Sequence, residues 1–156
     1  SFALSLTTAV LLQAIFRIGV GRRTREVFQV ADTHFDEMRN FIEGQGKVWG
    51  ARHQSVKRAE LASWQALELL MDNALLAPDA KTVELETRLD EHNLAIIMRY
   101  QGVLPEISNR RPSPEEMIED EHAPQRMAGY LIHRLADQVR TRKDGEHAEL
   151  RLTFRD

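Results

Sequence analysis

Three stretches of the chain gather side chains able to do chemistry. Asp90-Glu91-His92 and Glu119-Asp120-Glu121-His122 hold carboxylates beside an imidazole, the donor types of a metal site. Consecutive residues rarely converge on one ion, however, and neither run has ligand spacing, so solvated turns explain them with fewer assumptions. The third stretch, Arg126-Met127-Ala128-Gly129, opens an apolar helical pattern. A helix N-terminus attracts anions, and Arg126 adds a point charge, so weak anion binding is the chemistry available there. Asn73, near the end of another helical pattern, has the side chain to cap or bond the backbone. Tyr100 has the aromatic bulk of a core residue. No Ser-His-Asp order, P-loop or zinc-protease motif is present, and nothing around His133 reads as a phosphoacceptor helix. With no cysteine, disulfides, thiolate ligands and cysteine nucleophiles are excluded, and a reducing compartment is allowed.

The elements that must position these residues are read from periodicity. Phe28, Ala31, Phe35, Met38 and Ile42 recur at steps of three and four, which predicts a helix over about 23–43. Gly44 and Gly46 punctuate the chain, and a second helical pattern runs from about Val48 to Leu76, ended by Ala77-Pro78-Asp79. Thr82 to Leu89 alternates, Asp90 to Asn93 supplies a turn, and Leu94 to Tyr100 makes a second strand. A further hairpin pairs Gln138–Arg142 with Glu149–Phe154 through Lys143-Asp144-Gly145. Between the hairpins, Leu104 to Pro112 is loop, and Ser113-Pro114-Glu115-Glu116 is a helix start with a serine cap and a proline in the first turn. A helix through Met127, Tyr130, Leu131, Arg134 and Leu135 leads into the third strand. The expected fold is α+β: a two-layer sandwich of a mainly antiparallel sheet of about four strands on helices, with an N-terminal helical extension. At 156 residues, one compact domain is expected.

That order, with particular residues in place, resembles the ATP-binding domain of the GHKL superfamily, the fold of gyrase, sensor histidine kinases and anti-sigma kinases. The resemblance spans about 59–154. Where the family has a glutamate and, four residues on, an asparagine followed by alanine, this chain has Leu69 and Asn73-Ala74. Where the family ends a strand in aspartate, any residue, glycine, it has Tyr100-Gln101-Gly102. The glycine-rich lid becomes Arg126-Met127-Ala128-Gly129, followed by Tyr130-Leu131-Ile132 and Leu135-Ala136-Asp137. The resemblance implies a vestigial nucleotide pocket at Asn73, Tyr100, Gly102, Arg126, Ala128 and Gly129, with the Tyr100 ring filling part of the cleft near Asn73 and Gly102. It implies no catalytic residue, no metal and no cofactor. The rival expectation is an active or weakly active ATP- and magnesium-binding kinase using Glu68 and Asn73. A narrower resemblance, carried by the apolar N-terminal end and residues 46–52, 111–116 and 128–132 together with Tyr100, is to the C-terminal tails of bacterial xanthine/uracil permeases. It implies a regulatory or interaction module on the cytoplasmic face of the bacterial inner membrane.

The first residues stand apart. Ser1 to Phe16 carries no charge and is strongly apolar, and Arg17, Arg22, Arg23 and Arg25 come after it. Sixteen helical residues span roughly 24 Å, slightly short of a hydrocarbon core of about 30 Å. The order of charge after apolar run is the reverse of a secretory signal and places the rest of the chain on the cytoplasmic side. Residues 1–21 are therefore expected to be the end of a transmembrane helix, with a helix packed in a soluble dimer as the alternative. Residues 22–45 are expected as a linking or dimerisation helix and 46–156 as the α/β body. A net charge of −3 gives no overall field for nucleic acid. Burying one large apolar side chain is worth about 1.5–3 kcal/mol, so a second copy is expected to cover the apolar segment and form a homodimer, the contact continuing through the Phe28, Phe35 and Ile42 stripe, with packing of that stripe on the domain's own core as the alternative. Deleting residues 1–21 should weaken the dimer in sedimentation and leave the body folded; a full chain that stays monomeric at high micromolar concentration would refute this.

Overall fold

Period-two alternation decides which face of each strand meets the helices. The computed structural model describes residues 22–72 and 74–156. In chain order the elements are β1 (Arg22–Gln29), α1 (Phe35–Trp49), α2 (His53–Asp72), β2 (Thr82–Leu89), β3 (Asn93–Gln101), α3 (Pro114–Glu119), α4 (Ala123–Leu135), β4 (Gln138–Asp144) and β5 (His147–Arg155). The five strands form one sheet in the order β1-β2-β3-β5-β4, with every neighbouring pair antiparallel. The fold is α+β.

Val83, Leu85 and Leu89 of β2, Leu94, Ile96, Met98 and Tyr100 of β3, and Leu150, Leu152 and Phe154 of β5 are all buried. They form one cluster with Met38 and Ile42 of α1, Leu67 and Leu70 of α2, and Ile132 of α4. Ala59, Ala62 and Ala66 lie along the buried side of α2 with no exposed surface, and their small side chains let that helix approach closely. At one end, Ser55 Oγ donates to the Arg155 carbonyl at 2.9 Å, and the Asp137 carboxylate accepts from the Arg155 N–H at 2.7 Å and from Arg58 at 3.2 Å. Those bonds hold α2 against the β4–β5 hairpin.

Both hairpins and the short helix lie where the alternation and the cap placed them. Ser113 Oγ accepts from the Glu116 N–H at 3.1 Å with Pro114 in the first turn. Three expectations are corrected. The sheet has five strands rather than about four. The extra one is the front half of the helix expected over 22–45: residues 22–29 form a strand, and only residues from Phe35 onward are helical. Phe28 does point into the core, but from a strand, and meets Phe41 of α1 edge-to-face at 5.9 Å. The three-and-four spacing thus collected residues from two elements that face one core. Pairing with β2, including an ion pair from Arg25 to Glu86, overrides the helical pattern. The expected break at Gly44 and Gly46 is also absent, since both lie inside α1, which ends at Gly50 in a left-handed conformation. At Gly46 α2 packs tightly: a Cβ there would lie 2.6 Å from a methyl of Val56. Its lack of a side chain serves helix packing. Residues 1–21, with the predicted apolar helix, and Asn73 lie outside the described residues. Among the described residues no helix is long and apolar enough to cross a membrane.

Candidate functional site

The described residues expected to line a nucleotide pocket lie at two places, the end of β3 and α4. At the end of β3, the segment after α2 folds back as a short antiparallel partner. The Ala77 N–H donates to the Gln101 carbonyl at 2.8 Å, the Val103 N–H to the Leu75 carbonyl at 2.7 Å, and Leu76 bridges Gly102. Gly102 has φ +153°, and a Cβ there would lie 2.0 Å from the Leu75 carbonyl oxygen. Conformation and space both demand glycine, since main chain fills the position a side chain would take. Tyr100, two residues earlier, is buried in the core, and its hydroxyl donates to the Val103 carbonyl at 2.7 Å. Burial pushes its phenol well above the ordinary tyrosine value. Leu69, where the family has glutamate, is buried as well.

The other place is α4. A Cβ on Gly129 would lie 3.3 Å from the backbone of Ile107 and Ser108, so the 104–112 loop rests directly on this turn of the helix. A ring nitrogen of His133 lies 3.4 Å from the Ile107 carbonyl. Ala128 packs on the rim of the core. Arg126 pairs with Asp120 and lies 3.5 Å from Glu116, which also binds Arg110, so its charge ties α4 to α3 and the loop. A hydrogen bond from the His122 N–H and another from Arg126 hold the Asp120 carboxyl below its ordinary value. The structure thus brings Tyr100 and Gly102 together, sets Ala128 and Gly129 under loop and core, and turns Arg126 toward α3. The two acid–histidine runs are turns: Asp90 accepts from the His92 and Asn93 N–H groups, and Asp120 from that of His122. Among the described residues no cluster of His, Asp and Glu is placed to hold a metal ion.

The charged chemistry that sequence reading missed lies on the opposite face of the sheet, which no helix among the described residues covers. Glu86, with no exposed surface, binds Arg25 at 2.9 Å, Arg88 at 2.8 Å and Arg99 at 3.2 Å; Arg99 also reaches Glu84 at 3.1 Å and Glu149 at 2.9 Å. Burial opposes ionisation of Glu86, yet hydrogen bonds from Arg25 and Arg88 and the charges of Arg88 and Arg99 outweigh it and lower its pKa. The available signal was the i, i+2 run Glu84-Glu86-Arg88. Recognising it required knowing that β1 and β3 flank β2. Two open grooves lie on this face. One, of about 800 Å³, runs past Lys81, Glu84, Arg99, Arg142 and Glu149; the other, of about 380 Å³, is lined by Arg22, Arg23, Arg88, Arg140 and Arg151, with Asp90 as its acidic member.

Compared with models of known protein families and with curated proteins, the chain matches none. The contacts at the end of β3 make a direct prediction. Gly102→Ala should destabilise the domain by at least about 2 kcal/mol, from backbone strain and overlap, whereas Tyr100→Phe should cost only about 1 kcal/mol for one lost hydrogen bond. Urea unfolding followed by circular dichroism checks both; a Gly102→Ala protein as stable as the parent would contradict the packing of Leu75 on Gly102.

Proposed function

We propose that this chain is a non-catalytic regulatory or interaction module at the cytoplasmic end of a membrane transporter of the nucleobase permease kind, built on a GHKL-like scaffold whose nucleotide site has decayed. The observation that carries this reading is the occupation of the aligned positions by the protein itself. The Leu75 carbonyl stands over Gly102, the Ile107–Ser108 backbone stands over Gly129, and Arg126 is held by Asp120 and Glu116. A triphosphate would have to displace main chain hydrogen-bonded at 2.7–2.8 Å around Gln101 and Val103. Leu69 brings no carboxylate to serve as a general base. The membrane part of the reading rests on the apolar run from Ser1 to Phe16 and the arginines behind it. A fold licenses no activity by itself, so an ATPase-like scaffold is compatible with a purely binding role.

Calorimetric titration of the full chain with magnesium-ATP tests the reading. No binding tighter than about 100 μM, equivalent to roughly −5.5 kcal/mol, is expected. Tighter binding accompanied by phosphate release would establish the rival, an ATP-binding kinase.

A further inference from the structure

Two groups of arginines on the open face of the sheet differ in their partners. Arg25, Arg88 and Arg99 are held by Glu86. Arg23, Arg140 and Arg151 are exposed, and among the described residues their guanidinium groups have neither an ion pair nor a hydrogen bond. All three line the same groove. The register makes the arrangement costly. Arg140 stands directly opposite Arg151, and Arg23 directly opposite Arg88. Like charges at such positions, with Cβ atoms about 5 Å apart, destabilise a sheet. Basic residues on an edge strand guard against edge pairing, which accounts for Arg140 on β4. It does not account for Arg151, which lies on β5 between β3 and β4. An external anion would remove the repulsion, and Asn93, Gln138 and Thr153 on the same groove supply neutral polar groups around it.

The chain's own connectivity indicates which anion. Arg22 and Arg23 open β1, and five residues lie between Phe16, the last of the apolar run, and Arg22. At no more than about 3.6 Å for each Cα–Cα step from Phe16 to Arg22, that link reaches no farther than about 22 Å. Five strands at about 4.8 Å spacing make the sheet about 19 Å across, so the end of the apolar run is tethered within roughly one sheet width of Arg22 at the groove. Resting on the reading that residues 1–16 engage a bilayer, the geometry points to the groove of Arg23, Arg140 and Arg151 as a docking surface for the headgroups of anionic phospholipids. The domain then lies with this end of its open face against the membrane instead of hanging freely from its N-terminus. An overall charge of −3 conceals the patch because the acidic residues are concentrated elsewhere, as in α3 and the turn after it.

The test is co-sedimentation of the full 156-residue chain with two vesicle types: phosphatidylcholine alone, and phosphatidylcholine with phosphatidylglycerol. Each basic residue at an anionic surface strengthens partition about fivefold, so Arg140→Gln with Arg151→Gln should remove about 25-fold of the gain that phosphatidylglycerol confers. The Arg140→Lys, Arg151→Lys pair should retain it. Binding to phosphatidylcholine alone should be equal in all three proteins, and the glutamine pair should melt no lower than the parent, since it relieves a repulsion. An equal phosphatidylglycerol gain in the parent and the glutamine pair overturns the inference. So does a loss confined to binding of a single-stranded oligonucleotide, which would reassign the groove to nucleic acid. Absence of binding to neutral vesicles with the arginine-dependent gain intact would overturn the anchoring role of residues 1–16 and leave the groove standing.

Discussion

A carboxylate with no exposed surface, lying on the solvent side of a sheet, organises much of this molecule. Among the described residues helices cover only one face of the sheet, yet β3 is buried on both: Ala95 and Ile97 point away from the helices and are 4% and 1% exposed. Ile97 sits between Glu86 on β2 and Arg151 on β5. Long arginine stems shield apolar surface while their heads stay hydrated. Glu86 fixes three such stems around the middle of the sheet, and so does for the open face what helix packing does for the other. The arrangement also joins strands distant in sequence, since Arg25, Glu86 and Arg99 come from β1, β2 and β3.

The same clamp separates positive charge that is satisfied within the fold from positive charge left for a partner. Glu84, Glu86 and Glu149 neutralise one half of the open face, and Arg23, Arg140 and Arg151 at the other end, where the chain enters β1, remain unpaired among the described residues. On the helical side the chain packs on itself, with Leu75 on Gly102 and Ile107–Ser108 on Gly129. The two faces therefore have different capacities: one is core, and the other is a charged surface.

Local signals were legible wherever one residue dictates local geometry. Ser113-Pro114 started a helix, Asp144-Gly145 turned a hairpin, and the alternation from Thr82 to Leu89 marked both the extent of β2 and its buried side. Failures came where distant chain decides. Phe28 and Phe35 share a helical spacing, but β2 recruits the first into the sheet, and Gly46 reads as a breaker until Val56 of the next helix is seen against it. At the candidate site, Tyr100 and Gly102 stand out by residue type, while the Leu75 carbonyl that fills the space over Gly102 is main chain and carries no side-chain signature. The arginine surface was hidden by summation, because net charge averages over faces that the fold segregates.

The clamp at Glu86 is open to one direct measurement: the unfolding free energy of the parent and of Glu86→Gln compared as pH is lowered. Because the folded pKa of Glu86 lies below its ordinary value, the stabilisation is complete above the unfolded value of about 4.3 and is lost as pH falls through the folded value. The arginines are partly solvated, so a loss of about 2 kcal/mol is expected near neutrality, less than for a fully buried pair. The gap between the two proteins should then close progressively below about pH 4.3. Equal stability at neutral pH, or a gap that persists unchanged in acid, would contradict the clamp.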